Sequence, residues 1–215
     1  MMDAGGAPAR WLAVHDDLLR GITHALSNRI ATVSASSYMF DNGDVKIDHV
    51  SEILRAESER MEKLLQQLRL LPERPDALPE PLTANDACAA AVGLHAHHPE
   101  LGDCPCDITV SGDVYPVWVE PQSFTHALLM ALHAAKRNAG NAGRVSIEVS
   151  GDIDVVLFFV KTATTNIGPD AMKQRDVEAA AWLLQRHGGT ARSVPDGCEL
   201  QVPTLLAARR AQKGP

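Results

Sequence analysis

A histidine and an asparagine lie four residues apart in the segment THALSNRI, residues 23–30. In a helix this spacing places His24 and Asn28 side by side on one face. At about 100° per residue, His24 lies about 200° from the apolar Ile22 and therefore faces solvent. An exposed imidazole is largely neutral at pH 7, so that a ring nitrogen can attack a phosphoryl group and form a phosphoramidate. The amide of Asn28 could orient that phosphoryl group or an attacking water.

The spacing alone is a weak motif, because the chain contains nine histidines. The alternative interpretation of His24 is a surface histidine without a function. His15 is a weaker candidate, since the residue four positions later is Leu19. The neighbouring polar residues form either a docking face or an ordinary exposed helix face; they are Ser27, Arg29, Thr32 and Ser36.

Two long helices are predicted to carry this pair. In the first, residues 11–40, apolar residues recur every seven positions: Leu12, Leu19, Leu26, Val33 and Phe40, with Ile22 and Ile30 widening the stripe. A turn is expected at residues 41–44. The second helix has a heptad pattern with Glu57 as the exception; its positions are Ile47, Leu54, Met61 and Leu68, and Val50, Leu64 and Leu71. The two helices should form an antiparallel hairpin.

One isolated hairpin of this length has too small a core to be stable alone. Small residues on its flanks would let a second hairpin approach; they are Ala31, Ser34, Ala35 and Ser37. We therefore expect a homodimer in which two hairpins form a four-helix bundle.

A proline-rich segment follows the hairpin. Residues 71–81 contain four prolines, which cannot continue a helix. The sequence therefore predicts a hairpin domain at residues 1–71, a linker at 72–81 and a second domain at 82–215.

Helices and strands alternate in this second domain. Helices are expected at 83–97, 122–138 and 169–187, and strands at 107–110, 114–119, 144–149, 153–160, 190–194 and 199–202. The runs 144–149 and 153–160 should pair as a β-hairpin. The predicted fold class is α+β: a helical hairpin followed by an α/β sandwich, in which three helices cover one face of a mixed sheet.

Composition excludes several classes of protein. With 215 residues, 45% of them hydrophobic and 22% charged, the chain is globular rather than disordered. We expect no membrane span, since no apolar run approaches about 18 residues, and no secretory signal. The expected location is therefore the cytoplasm, where the four cysteines stay reduced. A net charge of -7 argues against a nucleic-acid partner.

A second group of residues has the chemistry of metal ligands: His95, His97, His98, Cys104 and Cys106. One residue separates the two cysteines, whereas structural zinc sites usually have about two to four. We expect a solvated polar loop here rather than a metal site, and zinc analysis of the purified protein decides between them.

The order of hairpin, proline-rich linker and sandwich resembles the dimerisation and ATP-binding domains of bacterial sensor histidine kinases, over residues 11–203. The family's phosphoacceptor box reads His, acidic, Leu, x, Asn or Thr, Pro, Leu. Residues 24–30 match it at His24, Leu26 and Asn28, but Ala25 and Arg29 replace the acidic residue and the proline. Residues 120–122 look like the entry to the family's asparagine-box helix, and residues 186–190 look like its closing His-Gly-Gly turn.

The residues that bind ATP in that family are missing. Residues 127–136 contain no asparagine to hold magnesium and triphosphate. Residues 161–166 lack the carboxylate and glycines of the Asp-x-Gly-x-Gly segment, and residues 172–177 replace the second glycine-rich segment. The long lid is also absent, because only a few residues separate Asn166 from Pro169. The resemblance therefore implies no ATP-dependent kinase activity and no cofactor bound by this chain.

What the resemblance retains is a histidine on a dimeric hairpin. The chain is similar to dimeric histidine phosphotransferases built from a degenerate kinase core. Such a protein relays phosphate through His24 between response-regulator receiver domains, which supply the Mg²⁺, and a hybrid histidine kinase is a further candidate partner. Two alternatives stay open: a non-catalytic dimeric regulator or scaffold that docks on a kinase or response regulator, and a receiver phosphatase in which Asn28 orients water.

Overall fold

Two long helices begin the chain in the computed structural model, which describes residues 6–43, 45–71, 78–140, 143–163 and 171–212. Helix α1 spans Gly6–Asp41 and helix α2 spans Ile47–Leu68. A short turn at Asn42 and Gly43 follows α1, and Gly43 has a φ of 75°, which glycine adopts at no steric cost. The two helices pack against each other, which confirms the predicted hairpin.

The apolar face of α1 differs from the predicted heptad stripe. Leu12 is 50% exposed and Phe40 is 41% exposed. The buried apolar residues lie three or four positions apart in the first half of the helix; they are Trp11, Val14, Leu18 and Ile22. The heptad interpretation was wrong for this half because α1 packs there against the sandwich as well as α2. Ile30, which was expected to widen the stripe, is 53% exposed.

In α2, one of the two predicted heptad positions is buried. Val50 and Leu64 lie in the seam with α1, whereas Ile47 and Leu54 from the other position are exposed. The exception, Glu57, occupies the seam too and is only 2% exposed. Its carboxylate lies 3.5 Å from the guanidinium of Arg29 on α1 and also contacts Arg60. An ion pair therefore joins the two helices where the pattern would have placed an apolar side chain.

The second part of the chain contains a five-stranded sheet. Its strands are β2 (Cys106–Val110), β4 (Val145–Gly151), β5 (Val155–Thr162), β6 (Thr190–Val194) and β7 (Gly197–Pro203), in the order β2-β4-β5-β7-β6. Strand β2 runs parallel to β4 and the other neighbours are antiparallel, so the sheet is mixed as predicted. The predicted β4–β5 hairpin is confirmed, and Asp152 closes it by accepting hydrogen bonds from the backbone N–H of Asp154 and Val155.

Three helices pack on the sheet: α3 (Ala84–His95), α4 (Pro121–Ala139) and α5 (Ala171–Leu184). The side chain of Thr83 begins α3 by accepting a hydrogen bond from the backbone N–H of Asp86. The carboxylate of Glu120 begins α4 in the same way, accepting from Gln122 and Ser123. The α+β fold class predicted from the sequence, a helical hairpin followed by a mixed sheet covered by helices, is confirmed.

Three features of this part were not predicted in their observed form. Residues Glu80–Leu82 form a strand, β1, that pairs with β3 (Val117–Val119) in a separate two-stranded sheet. The expected strand at 114–119 is therefore shorter. The chain continues into a sixth helix, α6 (Leu205–Gln212). No helix among the described residues combines the length and apolar character needed to cross a membrane.

Candidate functional site

His24 and Asn28 lie on the exposed side of α1, as the spacing predicts. The amide Nδ2 of Asn28 is 3.4 Å from Nδ1 of the imidazole. An amide offers either an N–H donor or a carbonyl acceptor after a flip of its plane, so Asn28 can pair with either neutral tautomer of His24. When its carbonyl accepts the Nδ1 proton, the lone pair lies on Nε2, which is then available for attack on phosphorus.

The polar residues around this pair are mostly engaged within the hairpin. The hydroxyls of Ser27 and Thr32 donate to backbone carbonyls four residues earlier, those of Thr23 and Asn28. Arg29 pairs with Glu57, and Ser36 is buried and donates to the carbonyl of Thr32. Of these four side chains, Ser27 and Thr32 are exposed, Arg29 is half-buried and Ser36 is buried, so that only part of the group lies on the same surface as His24.

A segment of the sandwich, residues 96–103 between α3 and β2, lies directly against α1 at Gly21. A Cβ atom placed on Gly21 would lie 1.6 Å from the carbonyl oxygen of His97, so that only glycine permits this approach. His97 is also held from the other helix, because its Nε2 lies 2.7 Å from Oε1 of Gln67 on α2. The sandwich is thus seated on both helices close to His24.

A cavity of about 640 Å³ opens between α1 and this segment. His24 contributes to its lining. The other lining residues come from the two walls: Arg20, Gly21 and Ala25 on α1, and Ala96, His97, His98, Pro99, Gly102 and Asp103 on the sandwich. The candidate nucleophile therefore borders a recess to which both parts of the chain contribute.

A group of buried histidines, which sequence reasoning did not bring together, lies in the sandwich next to this cavity. Nη2 of Arg10 lies 3.0 Å from Nε2 of His133, and Nδ1 of His133 lies 3.3 Å from Nε2 of His95. Because Arg10 can only donate, Nε2 of His133 is the acceptor and its Nδ1 donates to His95. Burial lowers the pKa of His133 to about 2 and the pKa of His95 well below its ordinary value. Both rings are therefore neutral at pH 7.

His98 completes this group and has a defined tautomer. Its Nδ1 accepts hydrogen bonds from the backbone N–H groups of Glu100 and Leu101, so that the proton lies on Nε2, 3.8 Å from the carboxylate of Asp17 on α1. Burial lowers the pKa of His98 as well, against the opposing charges of Asp17 and Glu100.

The expectation of a solvated loop at residues 95–106 was wrong. His95, His98 and Cys104 are 0%, 6% and 4% exposed. His98 lies against Asp17 of α1, and His95 and Cys104 lie near His133 and Lys136 of the adjacent α4. Within the described parts of the chain, no three His, Cys, Asp or Glu side chains are arranged to hold a metal ion. Both ring nitrogens of His133 have hydrogen-bond partners, whereas Nδ1 of His95 is buried without one among the described residues.

Helices α4 and α5 pack directly against each other. Between them lies Asp176, fully buried, whose carboxylate is hydrogen-bonded to Arg10 and lies 3.9 Å from the guanidinium of Arg137. Trp11 packs beside His126 of α4 with ring centroids 5.4 Å apart, and burial lowers the pKa of His126 to about 4. The first turns of α1 therefore cover α4 and α5, where the sequence lacks the residues expected to bind ATP.

Of the segments that depart from the kinase pattern, residues 127–136 lie within α4 and are almost wholly buried. Lys161 and Thr162 end β5, and Lys161 pairs with Glu148 across the sheet at 2.6 Å. Residues 164–170, which include Asn166 and Pro169, lie outside the described residues, as do 72–77 of the linker.

No protein-family model and no curated protein matches this chain. Several solved structures are similar to it. The Acinetobacter baumannii histidine kinase AdeS is 12% identical, with 85% of this chain and 98% of that chain covered and a TM-score of 0.48. The histidine kinase ThkA, solved in complex with the response regulator protein TrrA, is 13% identical, with 91% and 63% covered and a TM-score of 0.48. A bacterial phosphotransferase is 13% identical, with 94% and 97% covered and a TM-score of 0.44. At this identity the likeness concerns the arrangement of helices and strands.

Proposed function

We propose that the chain is a histidine phosphotransferase of a two-component phosphorelay, which carries phosphate on His24 between receiver-domain aspartates without using ATP. The observation that supports this proposal most is the 3.4 Å contact between the Asn28 amide and Nδ1 of His24 on an exposed helix face. It supplies an accessible imidazole and a neighbouring group that can hold its tautomer.

The reaction needs little from this chain. The lone pair on Nε2 of His24 attacks the phosphorus of a phosphoaspartate, the P–N bond forms, and the P–O bond to the aspartyl carboxylate breaks with its electron pair remaining on the carboxylate. The Nδ1 proton stays on the ring, where the Asn28 carbonyl can accept it as a hydrogen bond. Mg²⁺ held by the receiver would balance the phosphoryl charge during transfer.

Several features support a role without nucleotide chemistry. The sequence lacks the asparagine, carboxylate and glycines that bind ATP in histidine kinases. In addition, Arg10 and Trp11 of α1 pack on α4 and α5, and Arg10 contacts Asp176 there. The sandwich is therefore attached to the hairpin through a shared core rather than free to carry a nucleotide towards His24.

A homodimer belongs to the same proposal. Apolar side chains on the hairpin are exposed in the single chain, among them Ile30, Ile47 and Leu54. Burial of such residues against a second hairpin would complete a four-helix bundle. Light scattering at micromolar concentration tests this part, and a monomer would contradict it.

The test of the function is transfer from a panel of phosphorylated receiver domains. We expect an acid-labile phosphoryl label on the wild-type protein and none on His24→Gln, with no label from ATP and magnesium in either. Asn28→Ala should transfer more slowly, because the imidazole loses the group that orients it, whereas Ser27→Ala, next to it on α1, should transfer normally.

The alternatives give different results in the same experiment. Release of inorganic phosphate that depends on Asn28 but not on His24 would indicate a receiver phosphatase. Binding to a receiver or kinase with neither label nor release would indicate a non-catalytic regulator or scaffold. Either result contradicts the phosphotransferase.

A further inference from the structure

We propose that the cavity between α1 and residues 96–103 receives the phosphoryl group carried by His24, and that Arg20 is the residue that positions it. This inference rests on the proposed function for the identity of the modified side chain. It adds a binding site for the phosphoryl oxygens that belongs to this chain and not to the receiver.

The geometry places the two residues together. Arg20 and His24 are four residues apart on α1, which makes them neighbours on one face of the helix, and both line the same cavity. Its volume of about 640 Å³ exceeds what a phosphoryl group and its hydrating waters occupy. A phosphoryl group on Nε2 of His24 therefore has space on the side where Arg20 lies.

The charge of Arg20 is available for this role. Its side chain is 71% exposed and its guanidinium lies 3.2 Å from the carboxylate of Asp17. An exposed ion pair of this kind contributes little to stability. A phosphoryl dianion is a stronger partner for a guanidinium, with which it can form two parallel charge-assisted hydrogen bonds. Arg20 can therefore turn from Asp17 to the phosphoryl group at small cost.

The wall of the cavity formed by residues 96–103 can lie this close to α1 only because residue 21 is a glycine. The carbonyl oxygen of His97 occupies the position that a side chain at residue 21 would need, and the hydrogen bond between His97 and Gln67 holds this wall to α2. His97 and Asp103 are among the residues of this segment that line the cavity. Asp103 opposes an anion there, which leaves Arg20 as the arginine that offsets the phosphoryl charge within the lining.

The site can be tested without any receiver. Potassium phosphoramidate transfers its phosphoryl group to imidazole nitrogen: the P–N bond to ammonia breaks as the P–N bond to Nε2 forms, and ammonia leaves. The ³¹P resonance of phosphorylated His24 is identified by its loss in His24→Gln. Its chemical shift is then followed against pH to give the pKa of the phosphorylated imidazole, since the ring is the part of phosphohistidine that titrates near neutral pH while the phosphoryl group stays a dianion.

We expect this pKa to rise by up to about one pH unit in Arg20→Ala, because a guanidinium held at the phosphoryl group lies close to the ring and disfavours its protonated, cationic form. Arg20→Lys should keep most of the wild-type value. Arg55→Ala, which removes an exposed arginine of α2 outside the cavity, should leave it unchanged. Gly21→Ala should raise this pKa by less than Arg20→Ala does, since residues 96–103 must then move away from α1.

Equal values in wild type and Arg20→Ala would overturn the inference, and so would the absence of any His24 resonance after treatment with phosphoramidate. Arg20 is exposed, so circular dichroism should show the variant folded like the wild type. Failure of label to arrive from phosphorylated receivers would overturn the proposed function instead, while the titration of the phosphoramidate-labelled protein still tests the cavity.

Discussion

The contact between Asp176, Arg10 and Arg137 joins α1 to the sandwich, and its removal should be costly. The carboxylate of Asp176 is fully buried, and the side chain of Arg10 is only 16% exposed. Asp176→Ala leaves the guanidinium of Arg10 largely out of water, with Nε2 of His133 as an acceptor. The positive charge of Arg10 then has no negative partner in the variant, and a buried charge without a partner destabilises the folded state.

The expected loss in the free energy of unfolding is about 3 kcal/mol, at the lower end of the range of about 3–5 kcal/mol for breaking a buried ion pair. The lower end applies because Arg10 keeps His133 as a partner and because Arg137, 32% exposed, can reach water. With a denaturant slope of about 2 kcal/mol per molar urea, the unfolding midpoint should fall by about 1.5 M.

Urea unfolding followed by far-UV circular dichroism measures this change. The matched variant is the double substitution Arg10→Met with Asp176→Leu, which replaces the charges by apolar groups of similar size. It should recover most of the loss, because no charge remains buried without a partner. A loss below about 1 kcal/mol in Asp176→Ala would refute the argument, since it would mean that α1 does not hold a desolvated charge against α5.

Two further predictions concern other buried ionisable groups. Burial lowers the pKa of His126 to about 4 and that of His133 to about 2, so that below the ordinary value near 6.5 the unfolded chain binds protons that the folded chain does not. The full contribution of these neutral histidines to the free energy of unfolding should therefore be present above about pH 6.5, and it should fall by up to about 1.4 kcal/mol per pH unit for each histidine as the pH drops towards 4. In urea unfolding at pH 7.5 and 5, H133Q should lose less stability between the two pH values than the wild type does. An equal loss would contradict the lowered pKa of His133. In the hairpin, Glu57→Leu should raise the free energy of unfolding by about 1 kcal/mol, because an apolar side chain at this position would continue the seam of Val50 and Leu64 while Arg29 and Arg60 remain partly exposed to water. Thermal unfolding measures this change, and a lower free energy of unfolding in the variant would show that the ion pair stabilises the seam.

Local patterns were sufficient for much of the fold. The β-branched run that becomes β5, separated by a turn from the alternating run of β4, predicted their pairing, because both the strand period and the turn are local properties. The position of His24 beside Asn28 followed from helix geometry alone. These features need no knowledge of what packs against them.

The remaining features depend on contacts between distant residues. Whether Leu12 or Trp11 of α1 is buried depends on the sandwich, whose contacts with these first turns come from residues far along the chain: Arg10 and Asp176 are 166 positions apart. The burial of His95 and His98 likewise requires α1 to lie over them, which no periodicity in residues 95–106 encodes. The cavity beside His24 depends on the same placement and on the absence of a side chain at Gly21.

The central claim is that phosphate travels through His24, and ³¹P nuclear magnetic resonance tests it most directly. The protein is mixed with a phosphorylated receiver domain from the panel described above, without ATP. We predict a phosphohistidine resonance that appears in the wild type as the receiver loses its phosphate, and that is missing in His24→Gln although every other histidine is intact. A resonance that persists in His24→Gln, or phosphate that leaves every receiver only as the inorganic ion, would contradict the claim.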